Sequence, residues 1–137
     1  MIDFVMKDEF NQVRICENQG VVDYPKTIRY LLNQLCSMRL SSLEATIEAS
    51  RIHLRFQKMV PVYCTSNCLM FPLVGRRGKR SLFINYFSIH SIQYLNQEAR
   101  ITFEGFHVLS FPQATILKKQ IIKCEKIILF MNQTEEK

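Results

Sequence analysis

Cys68-Leu-Met-Phe-Pro-Leu-Val74, Gly75-Arg-Arg-Gly-Lys-Arg80 and Ser81-Leu-Phe-Ile-Asn-Tyr-Phe87 read in succession as strand, turn and strand. Each flank is a short apolar and aromatic run, and Gly75 and Gly78 punctuate the segment between them, the pattern of two strands joined by a longer loop. Four of the six linking residues are cations, Arg76, Arg77, Lys79 and Arg80, so the turn displays positive charge at an exposed tip. The charge extends beyond the tip. No acid occurs between Glu48 and Glu98, and Arg51, Arg55 and Lys58 add to the cationic middle upstream.

Downstream of this core the β pattern continues through Ile89–Leu95 and a hairpin of 100–104 with 106–109, with Gly105 expected to supply the positive φ of its turn. Ser110-Phe-Pro-Gln113 has capping-box spacing, and Leu117, Ile121, Cys124 and Ile128 then recur at helical spacing, with Lys118, Lys119, Lys123 and Lys126 on the other side. A loose end is expected from about Asn132. Upstream, strand-like runs begin near Met59, and Pro61 marks an edge or irregular strand. Before them, Pro25 suits the first turn of a helix because its missing N–H would be unpaired there, and Ile28, Leu31, Leu32 and Leu35 share one face. Ser41-Ser42-Leu43-Glu44 offers a second capping box and a helix to about His53. Two helices joined by a turn resemble a helix-turn-helix, but the strand-like sequence after them makes a sheet the expected packing partner. Residues 12–24 read as an extended entry with Asn18-Gln-Gly20 as a turn. The expected fold is α+β: an N-terminal helical pair, a mainly antiparallel sheet or partial barrel, and a C-terminal helix packed on it. One domain over 1–137 is expected, its core spanning about 25–130.

At 137 residues the chain is long enough to bury a substantial core, and its formal net charge of +6 bears on association with polyanions rather than on fold. The N-terminus carries acids where a signal peptide needs cations, and no stretch approaches a membrane span, so a cytoplasmic protein is expected. Cys16, Cys36, Cys64, Cys68 and Cys124 are odd in number and unevenly spaced, unlike a secreted disulfide framework, which favours reduced thiols. No catalytic constellation stands out. His53, His90 and His107 are isolated, Cys64-x-x-x-Cys68 lacks a second Cys/His pair at zinc spacing, and Gly75/Gly78 are not followed by the Lys-Ser/Thr of a phosphate-cradling loop. The sequence therefore points to a non-enzymatic protein, with neither a metal nor a cofactor expected. Glu44 and Glu48 share a helix face with Arg51 and Arg55 as ordinary surface pairs.

Two readings of Arg76, Arg77, Lys79 and Arg80 stand side by side. A solvated basic loop discourages edge-to-edge sheet pairing. Alternatively, the same cations contact phosphates or enter a narrow A·T-rich minor groove, where the negative potential is enhanced. In the second reading Arg51, Arg55 and Lys58 extend the surface, and the flanking Asn85, Asn67 and Gln93 read groove edges. The lysines of the last helix read as its solvated face.

The ordered set Cys68–Val74, Ser81–Phe87, Ile101-Thr-Phe-Glu-Gly105 and the helix after Ser110 resembles the ComK family of competence transcription factors. Leu32-Asn-Gln-Leu-Cys36 before Ser41-Ser42, and Lys58-Met-Val-Pro61, are similar to that family's upstream helix and its Pro-marked strand; together the resemblance covers about 28–128. It implies a bacterial activator of DNA-uptake genes that binds paired A·T-rich boxes largely through the minor groove, as a dimer or multimer of dimers, with RNA polymerase downstream. Here Phe83 stands where the family commonly has another aromatic, Leu73 replaces a usual Thr, and no Asn precedes Gly105. Leu43-Glu-Ala-Thr-Ile-Glu-Ala49 replaces a glycine-containing segment, and the family's C-terminal tail is expected to be missing. The alternative is a PH-like interaction module, or a diverged member of the family, that binds an anionic membrane or a protein partner.

Overall fold

In the computed structural model, residues 1–18, 20–74 and 81–135 are described, with side chains to residue 133. The strand-turn-strand stretch forms β5 (Cys68–Val74) and β6 (Ser81–Asn85), paired antiparallel from Met70↔Asn85 to Val74↔Ser81. β6 also pairs with β1 (Ile2–Lys7), and β1 with β2 (Val13–Glu17), which continues into β3 (Gly20–Tyr24). With β4 (Val62–Thr65) on β5, the result is a six-stranded antiparallel sheet in the order β3-β2-β1-β6-β5-β4. A second sheet of β7 (Ile89–Leu95), β8 (Glu98–Phe103) and β9 (Val108–Phe111) precedes the long helix α3 (Ala114–Glu135). The large sheet stays open, with β3 and β4 as its edges. The α+β architecture, with a helical pair and a closing helix, is the one expected from sequence.

Both faces of the six-stranded sheet are buried, which explains why β5 is apolar without alternation. Successive residues go to opposite cores. Leu69, Phe71 and Leu73, with Phe4 and Ile84, pack against Ile101, Phe103, Phe111, Leu117 and Cys124 of the small sheet and α3. Cys68 and Met70, with Val5, Val13 and Val62, pack against Ile28, Leu31, Leu32 and Cys36 of α1 (Ile28–Ser37) and Leu43 of α2 (Leu43–Leu54). The helical pair is thus one layer over a sheet, and α2 buries only Leu43.

Several local expectations change in three dimensions. Residues 2–24 supply three strands of the main sheet, so the core starts well before residue 25; the extended entry over 12–24 is the β2–β3 hairpin, its two arms paired on either side of the expected turn. α1 starts after Thr27, whose hydroxyl accepts the Tyr30 N–H at 3.0 Å; Pro25 lies outside the helix, in the chain leaving β3. Ser42, not Ser41, caps α2 by accepting the Ala45 N–H at 3.1 Å, while Ser41 Oγ turns to Thr46 Oγ1 and Glu44 reaches across to Arg29. Ser110 is in β9 opposite Arg100, and α3 begins after Gln113, whose carbonyl accepts the Ile116 and Leu117 N–H groups. The helix then runs to Glu135, past the loose end expected from Asn132. Its buried stripe is Ala114, Leu117, Gln120, Cys124 and Ile127, turned slightly from the expected one.

Three buried polar groups lock the layers. Asn85 is fully buried and its amide is saturated: Oδ1 accepts the Leu69 and Phe87 N–H groups at 3.1 and 3.2 Å, and Nδ2 donates to Ile2 O and Asn67 O at 2.8 and 3.0 Å. It thereby joins β1, the β4–β5 turn, β5 and the 3-10 turn Tyr86–Ser88. Gln120 of α3 donates to Pro72 O at 2.7 Å and Met59 O at 2.9 Å. Since β4 pairs no further along β5 than Met70, this side chain satisfies a carbonyl of β5 beyond the end of its neighbour. Asp3, fully buried, accepts the Ser88 hydroxyl, and His107 Nε2 lies 3.9 Å from its other oxygen while facing Glu17 O.

The glycine at the β8–β9 turn has a different role from the one expected. Positive φ falls on Phe106 (70°), and Gly105 is needed for space: a Cβ there would lie 2.5 Å from Asn18 Oδ1 and 2.8 Å from Asn18 Cα. The β8–β9 turn therefore sits directly on the β2–β3 hairpin, through backbone atoms that cannot yield. Gly105→Ala is expected to destabilise the fold by about 1–3 kcal/mol through overpacking, whereas Phe106→Gly, which relieves a left-handed backbone, is expected to be neutral or stabilising; urea unfolding of both decides between space and φ. Asn85→Ala leaves buried N–H and C=O groups unpaired and is expected to cost about 3 kcal/mol or more in the same measurement.

Candidate nucleic-acid interface

The expected cations divide between two settings. Arg76, Arg77, Lys79 and Arg80 lie outside the described residues, but the strand ends that carry them are defined: Val74 pairs with Ser81, and Ser81 pairs on its other side with Lys7 of β1. The basic run therefore leaves from the middle of the six-stranded sheet, not from an edge. Arg51, on α2, lines a groove that Ser81 also lines. Arg55 is the exposed left-handed C-cap of α2 (φ 61°), with its N–H on Arg51 O, and Lys58 is exposed a few residues on. The fold thus gathers Arg51 with the roots of the basic run, while Arg55 and Lys58 follow at the end of α2.

Asn85 does not belong to this set. Its side chain is fully buried with all four hydrogen-bonding positions engaged inside the protein, so it has no free edge to offer a base. Its place beside the basic run in sequence suggested a groove contact; the strand period instead turns it inward beside Met70. Asn67 is exposed at the β4–β5 turn with its carbonyl on Asn85, and Gln93 is exposed on β7.

Sequence inspection named Arg51 but missed three cations, Lys7, Lys26 and Arg29, that only folding brings beside it. Lys7, Lys26, Arg29 and Arg51, from β1, the β3–α1 connection, α1 and α2, line one groove between the helical layer and the sheet, and no Asp or Glu lines it among the described residues. Arg29 is paired with Glu44 at 2.7 Å and Arg51 loosely with Glu48 at 3.9 Å. Lys7 has no carboxylate partner among the described residues, and Lys26 lies over the Tyr30 ring, 4.9 Å from its centroid. Glu44 and Glu48 are thereby engaged with arginines rather than standing free beside the basic surface. These cations are spread over more than forty residues of sequence, which is why a window of charge did not reveal them.

The lysines of α3 behave unequally. Lys119 and Lys126 are exposed, but Lys118 lies 4.5 Å from the Tyr94 ring centroid, and Lys123 donates to Lys58 O at 2.8 Å across the face of Phe56. Burial lowers the Lys123 pKa from its ordinary value. Two of the four therefore fasten α3 through their stems rather than forming a freely solvated row.

The remaining titratable groups are structural. All five cysteines are free and buried. Cys64 and Cys68 meet Cys36 of α1 in the helix-side core, where the hydrogen bond from Cys64 holds the Cys36 thiol down at about 7 and the same contact pushes Cys64 up. No group of three His, Cys, Asp or Glu among the described residues has metal-binding geometry. Ser88, Asp3 and His107 meet, but the serine hydroxyl bonds the carboxylate rather than the imidazole and is fully buried, so they pin β1 to the small sheet instead of forming a nucleophile and its base. His53 stacks on Phe130 at 5.1 Å, and His90 is 3.7 Å from Glu104.

No helix among the described residues is long and apolar enough to cross a membrane. No curated protein and no solved structure matches the chain. The family model described as ComK protein does match, over residues 4–136, taking in most of β1 at one end and all of α3 at the other. With the match spanning every layer of the fold, the chain belongs to the ComK family of competence transcription factors, a family of regulators rather than enzymes.

Proposed function

We propose that this chain is a cytoplasmic, nucleoid-associated activator of DNA-uptake genes that binds A·T-rich duplex DNA. Arg76, Arg77, Lys79 and Arg80 make the principal phosphate and minor-groove contacts, and Arg51, Arg55 and Lys58 extend them along the backbone. The observation that carries this reading is a four-cation connection between β5 and β6, neither of them an edge strand, in a chain that matches the family model over residues 4–136. Four of the six residues on that connection are cations, and Ser81, where it rejoins the sheet, pairs with Lys7 and lines the groove that Arg51 also lines. In an A·T-rich minor groove the enhanced negative potential attracts arginine, and groove width and deformability give sequence preference with few base contacts. Asn85 has no part in it, because its amide holds the sheet together.

The active species is a homo-oligomer acting ahead of RNA polymerase. β3 supports this: it is an edge strand, and Val21 and Val22 on it are 57% and 53% exposed. Such an edge is open to pairing with a second copy.

Fluorescence anisotropy on an A·T-box duplex and a G·C-rich duplex, across a salt series, tests the reading. The chain is expected to favour the A·T duplex, and equal weak affinity for both would remove the sequence preference. Replacing Arg76, Arg77, Lys79 and Arg80 together by Ala is expected to leave the unfolding midpoint unchanged, to weaken binding tenfold or more at about 0.1 M salt, and to flatten the log–log salt slope by about 3 to 4. Arg51→Ala is expected to reduce that slope by only about 1. Anionic vesicles serve as the control: sedimentation with them and no DNA binding would assign the charge to a membrane surface.

A further inference from the structure

The groove lined by Lys7, Lys26, Arg29 and Arg51 has a cavity volume of about 820 Å³. That lies within the range of small-molecule sites, roughly 300–1,000 Å³. Its floor is apolar, built from Val13, Ile28, Leu43, Ile47 and Phe83, where α1 and α2 stand over β1, β2 and β6. Its rim is cationic and holds no acid among the described residues. Asp8, next to Lys7 in sequence, does not neutralise the rim: its carboxylate accepts the Phe10 and Gln12 N–H groups and faces Arg14 at 3.7 Å. The N-terminus of α1 also opens at the groove, through Thr27 and Ile28, and its own first turn has no acidic residue, so the helix dipole adds positive potential there, with Glu44 on Arg29 beside it but outside the groove lining.

An apolar floor under an acid-free cationic rim selects one chemistry. A simple phosphate leaves the floor wet, and an uncharged hydrocarbon leaves the rim unanswered. We propose that this groove is a binding site for a free amphipathic anion: a single apolar chain or ring system bearing one carboxylate or phosphate, its body between the helical layer and the sheet and its head at Lys7 and Lys26. Those two lysines are the rim cations with no carboxylate of their own among the described residues. The site borders the proposed DNA surface at Arg51 and Ser81, but its two head-group lysines, Lys7 and Lys26, are not among the proposed DNA contacts, and its occupancy needs no DNA.

Calorimetric titration with decanoate below its micelle threshold, alongside decyltrimethylammonium, tests this on the full chain. Decanoate is expected to bind saturably at one site, at least about tenfold more tightly than the cation of equal length. Lys7→Gln with Lys26→Gln is expected to weaken decanoate about fivefold or more, the scale of one or two exposed charge contacts, while leaving the cation's affinity unchanged. Ile47→Trp fills the groove and is expected to abolish binding. Methyl NMR supplies a readout that does not depend on either variant folding: decanoate is expected to shift the methyls of Ile28, Leu43 and Ile47. Equal affinity for anion and cation, methyl shifts elsewhere, or association with anionic vesicles but not with monomeric decanoate would each overturn the site.

Discussion

The side-chain amide of Asn85 makes four hydrogen bonds, and the arrangement of the main sheet depends on them. β1 comes from the first residues of the chain and β6 from the middle; the amide bonds the Ile2 carbonyl at one end of β1 while capping the 3-10 turn that ends β6. Through Leu69 N and Asn67 O the same group fixes where β5 begins. A buried amide with every position engaged specifies one register, because any slip would leave several groups unpaired where water cannot reach them. The register in turn decides which residues of β5 face the helical pair and which face α3.

From that register the rest of the molecule is a matter of covering two faces. One core closes under α1 and α2, with three cysteines acting as small apolar side chains. The other closes under the small sheet and α3, where Gln120 answers carbonyls that β4 is too short to reach and Gly105 leaves room for Asn18 of the β2–β3 hairpin. Both devices have functional consequences. With its two faces occupied, the sheet offers partners only its edges, its connections and the groove at the border of the helical layer. The basic run occupies a central connection, and the groove collects cations from four separate segments.

What was legible in the sequence followed from short-range rules. Period and punctuation located β5, β6, β7 and the β8–β9 hairpin, and the apolar stripes located α1, α2 and α3. Helix starts were misplaced by one to three residues, Ser41 standing beside Ser42, Pro25 ahead of Thr27 and Ser110 ahead of Gln113, because local sequence offers several capping candidates and backbone angles decide which one faces the free N–H groups. β1 escaped notice because its charged ends hide an apolar centre, and its role comes from a partner nearly eighty residues away. Asn85 looked like a polar residue available to a ligand, since no local pattern distinguishes a satisfied buried amide from a free exposed one. The charge of the chain was evident, but the acid-free groove was not, because Lys7, Lys26 and Arg29 lie far from the cationic middle along the chain.

By itself the sequence determined the α+β class, the strand-turn-strand centre, the family and the positive run between two strands. The class, the centre and the run are set by composition and by periodicities within one element, which act over a few residues; the family came from the resemblance of an ordered set of motifs along the chain. Only the tertiary structure decided that Asn85 is a structural lock, that Gly105 serves close approach rather than a turn angle, and that scattered cations converge on a groove without acids. Each of those depends on which distant atoms lie within a few ångströms, and that is settled by burying both faces of one sheet at once.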